Sequence, residues 1–127
     1  MTIQAHLDNL RERVGGCELT AFGDLSSRLI LRSSSAEHWR RERLDQLCQR
    51  AVDSFAKADL IPASEMIDRT VCGRSAVLFT AGKSFIFVRP DVSSDEFTCA
   101  VSHATQDQVS ALEATQDTAR LIGDDTQ

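Results

Sequence analysis

The sequence predicts an α+β fold: a five-stranded antiparallel sheet with three helices, in the order helix, strand, strand, helix, strand, strand, strand, helix. Two observations lead there. Three stretches repeat apolar residues at intervals of three and four, and five short stretches are β-branched, aromatic or alternating in polarity, with hairpin turns between them. Strands joined as hairpins pair antiparallel, and amphipathic helices then cover the faces of the sheet. The 127 residues, 42% hydrophobic and 26% charged, fit one domain over 1–123 with an acidic tail at 124–127. That length buries a core without disulfides or metal.

Ile3, Leu7, Leu10 and Val14 give helix one an apolar face over 3–14, and Gly15-Gly16 ends it. Cys17, Leu19 and Ala21 alternate with Glu18, Thr20 and Phe22; the polar "GDLSS" then turns the chain into "LIL" at 29–31, a hairpin. Helix two is predicted within 33–58, from a capping box of Ser34 and Glu37, with a stripe of Leu44, Leu47, Cys48, Ala51, Val52 and Phe55. Residues 59–73 read as a connector with room for a short helical turn at 64–67.

A second hairpin runs through "AVLFTAGKSFIFV", with Ala81-Gly82-Lys83 at its tip. Phe97, Cys99 and Val101 mark strand five. A capping box of Thr105 and Gln108 opens helix three, whose apolar face is Val109, Leu112, Ala119 and Ile122 and which ends at Gly123.

Gly82-Lys83-Ser84 are the letters that close a phosphate-binding loop. That loop requires an earlier glycine where Val77 stands, and a helix after the triplet where Phe85-Ile86-Phe87-Val88 stands, so the triplet reads as a turn. A net charge of −5 argues against nucleic acid as the main partner. No apolar run is long enough to span a membrane, and no leader precedes helix one, which predicts a cytoplasmic protein. Cys17, Cys48, Cys72 and Cys99 lie far apart in sequence, as do His6, His38 and His103; the cysteines read as buried free thiols and His103 as a polar cap at the end of strand five, rather than a metal or catalytic set. The expectation is a non-enzyme with no cofactor.

Helix two carries "WRRER". Trp39, Arg43 and Arg50 fall on one side, away from the Leu44/Leu47/Ala51/Phe55 stripe. Two readings stand: Trp39 folds over the helix start and stacks with Arg43, or the three form a partner contact.

With its helix, Gly and hairpin ("LDNLRERVGGCELTAFGDLSSRLIL"), its long second helix, "AVLFTAGKSFIFVRP" and "FTCAVSHATQDQVSALEATQDTARLI", the chain resembles the Roadblock/dynein light chain family over about residues 5–122. The 59–73 connector and the polar "TQDQ" before the last helix depart from the family pattern. The resemblance implies a homodimeric regulatory or scaffolding module, associated in many bacterial members with a small Ras-like GTPase. It also implies dimerisation through an edge strand at Ala76, Val77, Leu78 and Phe79, with helix two (Leu47, Ala51) alongside. The alternative is a small-ligand sensor of PAS, GAF or profilin-like type, which would need a pocket lined by several of Phe79, Phe85, Phe87 and Phe97.

Overall fold

The computed structural model describes residues 2–60, 75–80, 82–90, 93–103 and 107–125. The elements are α1 (Ile3–Arg13), β1 (Cys17–Asp24), β2 (Leu29–Ser35), α2 (Arg41–Leu60), β3 (Ser75–Thr80), β4 (Lys83–Val88), β5 (Glu96–His103) and α3 (Gln108–Asp125). The predicted class and element order hold. The sheet order is β2-β1-β5-β4-β3, antiparallel throughout, so β2 and β3 are its edges.

Thr2 caps α1 by accepting from the Ala5 N–H at 3.1 Å. Gly16, at φ 68°, turns the chain into β1. The sheet is covered on both faces. Leu47, Cys48, Ala51 and Phe55 of α2 pack on Leu19, Ala21, Phe85, Phe87, Phe97, Cys99 and Val101. Leu10 and Val14 at the end of α1, with Ala111, Ala114 and Ala119 of α3, close the other face on Ile86, Val88 and Ala100. With both sides covered, β4 and β5 are buried at nearly every residue, which is why "FIFV" runs continuously apolar.

Three local expectations are corrected. Ser34 and Glu37 do not cap helix two: Ser34 lies in β2 opposite Thr20, and its buried hydroxyl accepts from Arg11 Nε at 2.9 Å. The ladder with β1 satisfies that backbone first, and α2 begins only at Arg41, with the N–H groups of Arg43 and Leu44 donating to the Arg40 carbonyl. At α3 the cap is Asp107, whose Oδ1 accepts from the N–H groups of Val109 and Ser110 at 3.1 and 3.2 Å. Thr105 lies outside the described residues.

Of the predicted face of α3, Ala119 and Ile122 are buried and Leu112 packs half-buried against the core, but Val109 does not belong to it. Val109 is 65% exposed, whereas Ala111, Ala114, Thr115, Thr118, Ala119 and Ile122 are buried. Thr115 and Thr118 donate back to the carbonyls of Ala111 and Ala114 at 2.8 and 2.9 Å, so their hydroxyls enter the core already paired. The helix continues past Gly123 to Asp125. The predicted connector falls almost wholly outside the described residues, as does its proposed turn at 64–67, although α2 extends to Leu60.

Candidate functional site: the β3 edge and the α2 cleft

The Gly82-Lys83-Ser84 triplet lies in a hairpin. Thr80 pairs with Lys83, Gly82 takes φ 74°, and Ser84 continues into β4, where its hydroxyl meets that of Ser102 at 3.0 Å in the interior. Lys83 belongs to the strand rather than the tip, and its Nζ lies 3.0 Å from Glu18 Oε2 on β1. No helix N-terminus follows the triplet, so it lacks the element that would direct N–H groups at a phosphate.

The two sheet edges are built differently. On β2, side chains donate to the strand's carbonyls: Gln4 Nε2 to Ser33 O at 3.0 Å, Arg32 to Leu31 O at 3.2 Å and Arg41 to Ile30 O at 3.3 Å. Charged and amide groups thereby occupy positions that a second strand would need. At the far edge, "SAVLFT" of β3 carries no charge, proline or glycine. Ala76 and Leu78 point toward the α2 core, Val77 toward the α3 side, and Phe79 is 57% exposed. Among the described residues Phe79 is the one aromatic left exposed, although Leu29 and Leu31 of β2 are exposed as well. Leu47 and Ala51, by contrast, are 2% and 0% exposed against this chain's own sheet, so they support the neighbouring surface rather than forming it.

Trp39, Arg43 and Arg50 are brought together, and Trp39 is packed. It precedes α2 instead of lying on it, is 9% exposed and belongs to the α2 core. The helical phase assigned to it from sequence therefore does not apply. The Arg43 guanidinium lies 3.8 Å from its ring centroid, and that of Arg50 lies 4.9 Å from Phe85. With Gln46, Leu47, Thr80 and Lys83 these side chains line a cleft of about 200 Å³. The sequence marks Phe85 only as lining for a ligand pocket and Lys83 only as a turn residue; the β3–β4 pairing sets both beside α2.

Among the described residues Phe87 and Phe97 line neither this cleft nor the larger cavity beside α3. Both are fully buried, each about 6.4 Å from Phe55 and 6.2 Å from each other in edge-to-face contact, so the rings fill the space that a sensor pocket would use. A larger cavity of about 460 Å³ lies instead between the start of β3 and α3, lined by Ser75, Arg89, Gln116 and Arg120 among others. Burial pushes the Cys17 thiol up to about 11 and the Cys99 thiol well above its usual range, so both are protonated at neutral pH. Among the described residues no three His, Cys, Asp or Glu side chains gather as metal ligands, and no helix is long and apolar enough to cross a membrane.

No family model and no curated protein matches the chain. Solved structures do. A Roadblock/LC7 domain from Streptomyces avermitilis superimposes with a TM-score of 0.75 at 9% identity, covering 97% of this chain and 96% of its own. MglC from Myxococcus xanthus follows at 0.69 and 11%, covering 98% and 99%. Schizosaccharomyces pombe profilin reaches 0.63 at 16%, covering 99% and 100%. At such identities the likeness shows the fold, which is Roadblock-like and shared with profilin.

Proposed function

We propose that this chain is a homodimeric, non-catalytic regulatory or scaffolding module that works in the cytoplasm and binds a small Ras-like GTPase or a signalling complex. The observation that carries the reading is the contrast between the edges: carbonyls of β2 are taken by Gln4 of α1, Arg41 of α2 and its own Arg32, whereas β3 presents an uncharged strand with an exposed Phe79. Pairing β3 with a second copy would satisfy both edges in one closed, isologous step and cover the aromatic. The fold shared with the Roadblock/LC7 domain supports the same reading. Regulation would then operate by differential affinity for the conformations of the bound partner.

Light scattering at micromolar concentration tests the assembly, and a monomer would overturn it. Affinity capture from the native cell extract, with GDP or a non-hydrolysable GTP analogue present, tests the partner. The reading expects a GTPase whose recovery depends on the nucleotide. Recovery of no GTPase and no signalling protein in either condition would refute the partner assignment.

A further inference from the structure

The cleft beside Trp39 concentrates positive charge on a chain whose net charge is −5. Arg43 and Arg50 both rise from α2, seven residues apart. That is close to two turns, so their guanidinium groups are presented roughly 10 Å apart along the helix. Each guanidinium lies on an aromatic ring, Trp39 at 3.8 Å and Phe85 at 4.9 Å. Stacking fixes the guanidinium plane while leaving its in-plane N–H edge for an acceptor, so little side-chain freedom is left to lose on binding.

Among the described residues Arg13, Arg41, Lys83 and Arg120 have carboxylate partners, but no carboxylate lies within ion-pair distance of Arg43 or Arg50. Trp39, Leu47 and Phe85 line the cleft of about 200 Å³ together with Arg43 and Arg50, and Lys83 in the same lining is paired with Glu18.

We propose that this cleft docks an acidic helical segment of a partner protein, with two carboxylates on Arg43 and Arg50 and an apolar side chain between them. The spacing selects the helix. Carboxylates at i and i+7 of a helix stand roughly 10 Å apart on one side. Same-side residues of an extended strand fall at roughly 7 or 14 Å instead. A nucleic acid fits poorly, because Glu18 and Glu37 line the adjoining cavity that shares Trp39, Arg43 and Lys83, and a polyphosphate would run across them. The proposal rests on the reading of this chain as a binding module, and not on its dimerisation through β3.

Trp39 is the only tryptophan and lies in the cleft, so its fluorescence reports occupancy. The probe is a synthetic helical peptide of about 15 residues carrying Glu at i and i+7 with Leu at i+4. Saturable binding is expected, weakened about tenfold by Arg43→Gln, by Arg50→Gln and by Gln for Glu in the peptide, and weakened by added salt. Lys57→Gln, on an exposed position of the same helix, leaves it unchanged. Absence of binding, equal binding of the Glu and Gln peptides, indifference to Arg50→Gln, or tighter binding of heparin than of the peptide would each overturn the proposal. Light scattering on the same samples separates the two readings. Peptide binding with an unchanged particle mass supports docking whether the protein is monomer or dimer, while dissociation of a dimer by the peptide would show that a second copy covers the cleft and would refute it.

Discussion

Gly23 and Phe97 fit together with no room for a methyl group: a Cβ on Gly23 would stand 2.8 Å from Cε1 and Cζ of the Phe97 ring. Gly23 pairs with Phe97 across β1 and β5, immediately after the register shift at Phe22/Gly23. The ring cannot easily yield, because it is fully buried and held by Phe55 and Phe87. Gly23→Ala is therefore expected to cost about 1–3 kcal/mol, the scale of an overpacked core. Urea unfolding measures it, and a cost under about 0.5 kcal/mol would mean that the ring moves aside freely.

Leu47 tests the opposite defect. It is 2% exposed in the α2 core, so Leu47→Ala removes buried methyl groups and leaves a void, expected to cost about 2–5 kcal/mol. A value near that of a surface change would contradict the α2 register, since the same helix phase places Cys48, Ala51 and Phe55 against the sheet.

The elements legible in the sequence were those whose own residues decide them. The stripe of α2 from Leu47 to Phe55 and the alternation of Phe97, Cys99 and Val101 both survive in the structure. What could not be read depended on distant partners. Ser34 carries a helix-capping signature, but pairing with Thr20 and the bond from Arg11 hold it in a strand. Thr115 and Thr118 look polar, yet bonding to their own helix lets them face the core. In the candidate site, Trp39, Arg43 and Arg50 could be singled out by composition, whereas Lys83 and Phe85 join them only through the sheet pairing that sets β4 beside α2.

Acid should destabilise the fold through three aspartates held below the ordinary carboxylate range. For Asp8 the main cause is the hydrogen bond from Ser34, followed by that from Gln4; for Asp24 it is the Ser26 hydroxyl; for Asp107 it is the Ser110 hydroxyl, with its N–H. A carboxyl with a lower pKa folded than unfolded contributes stability that is complete above its unfolded pKa and lost as pH falls through the folded one. The melting temperature should thus be level down to about pH 4 and fall below it. Asp8→Asn and Asp24→Asn should flatten that fall, and an unchanged acid limb in the double variant would show that other groups dominate.

The dimer proposal turns on which residues of β3 direct their N–H groups outward. Thr80 and Lys83 pair across a two-residue connection, which makes them a hydrogen-bonded pair exchanging both N–H···O=C bonds. Counting back along the register, Leu78 and Ala76 also bond to β4, opposite Phe85 and Phe87, while Phe79, Val77 and Ser75 turn their backbone groups to the open side. The two proline variants then separate. Val77→Pro removes an outward donor and leaves the β4 ladder whole, so it should yield a folded monomer. Leu78→Pro removes a donor to β4 itself and should lower stability before it alters assembly. Circular dichroism with light scattering at micromolar concentration distinguishes the outcomes. A dimer that persists in a folded Val77→Pro variant would reject pairing through β3.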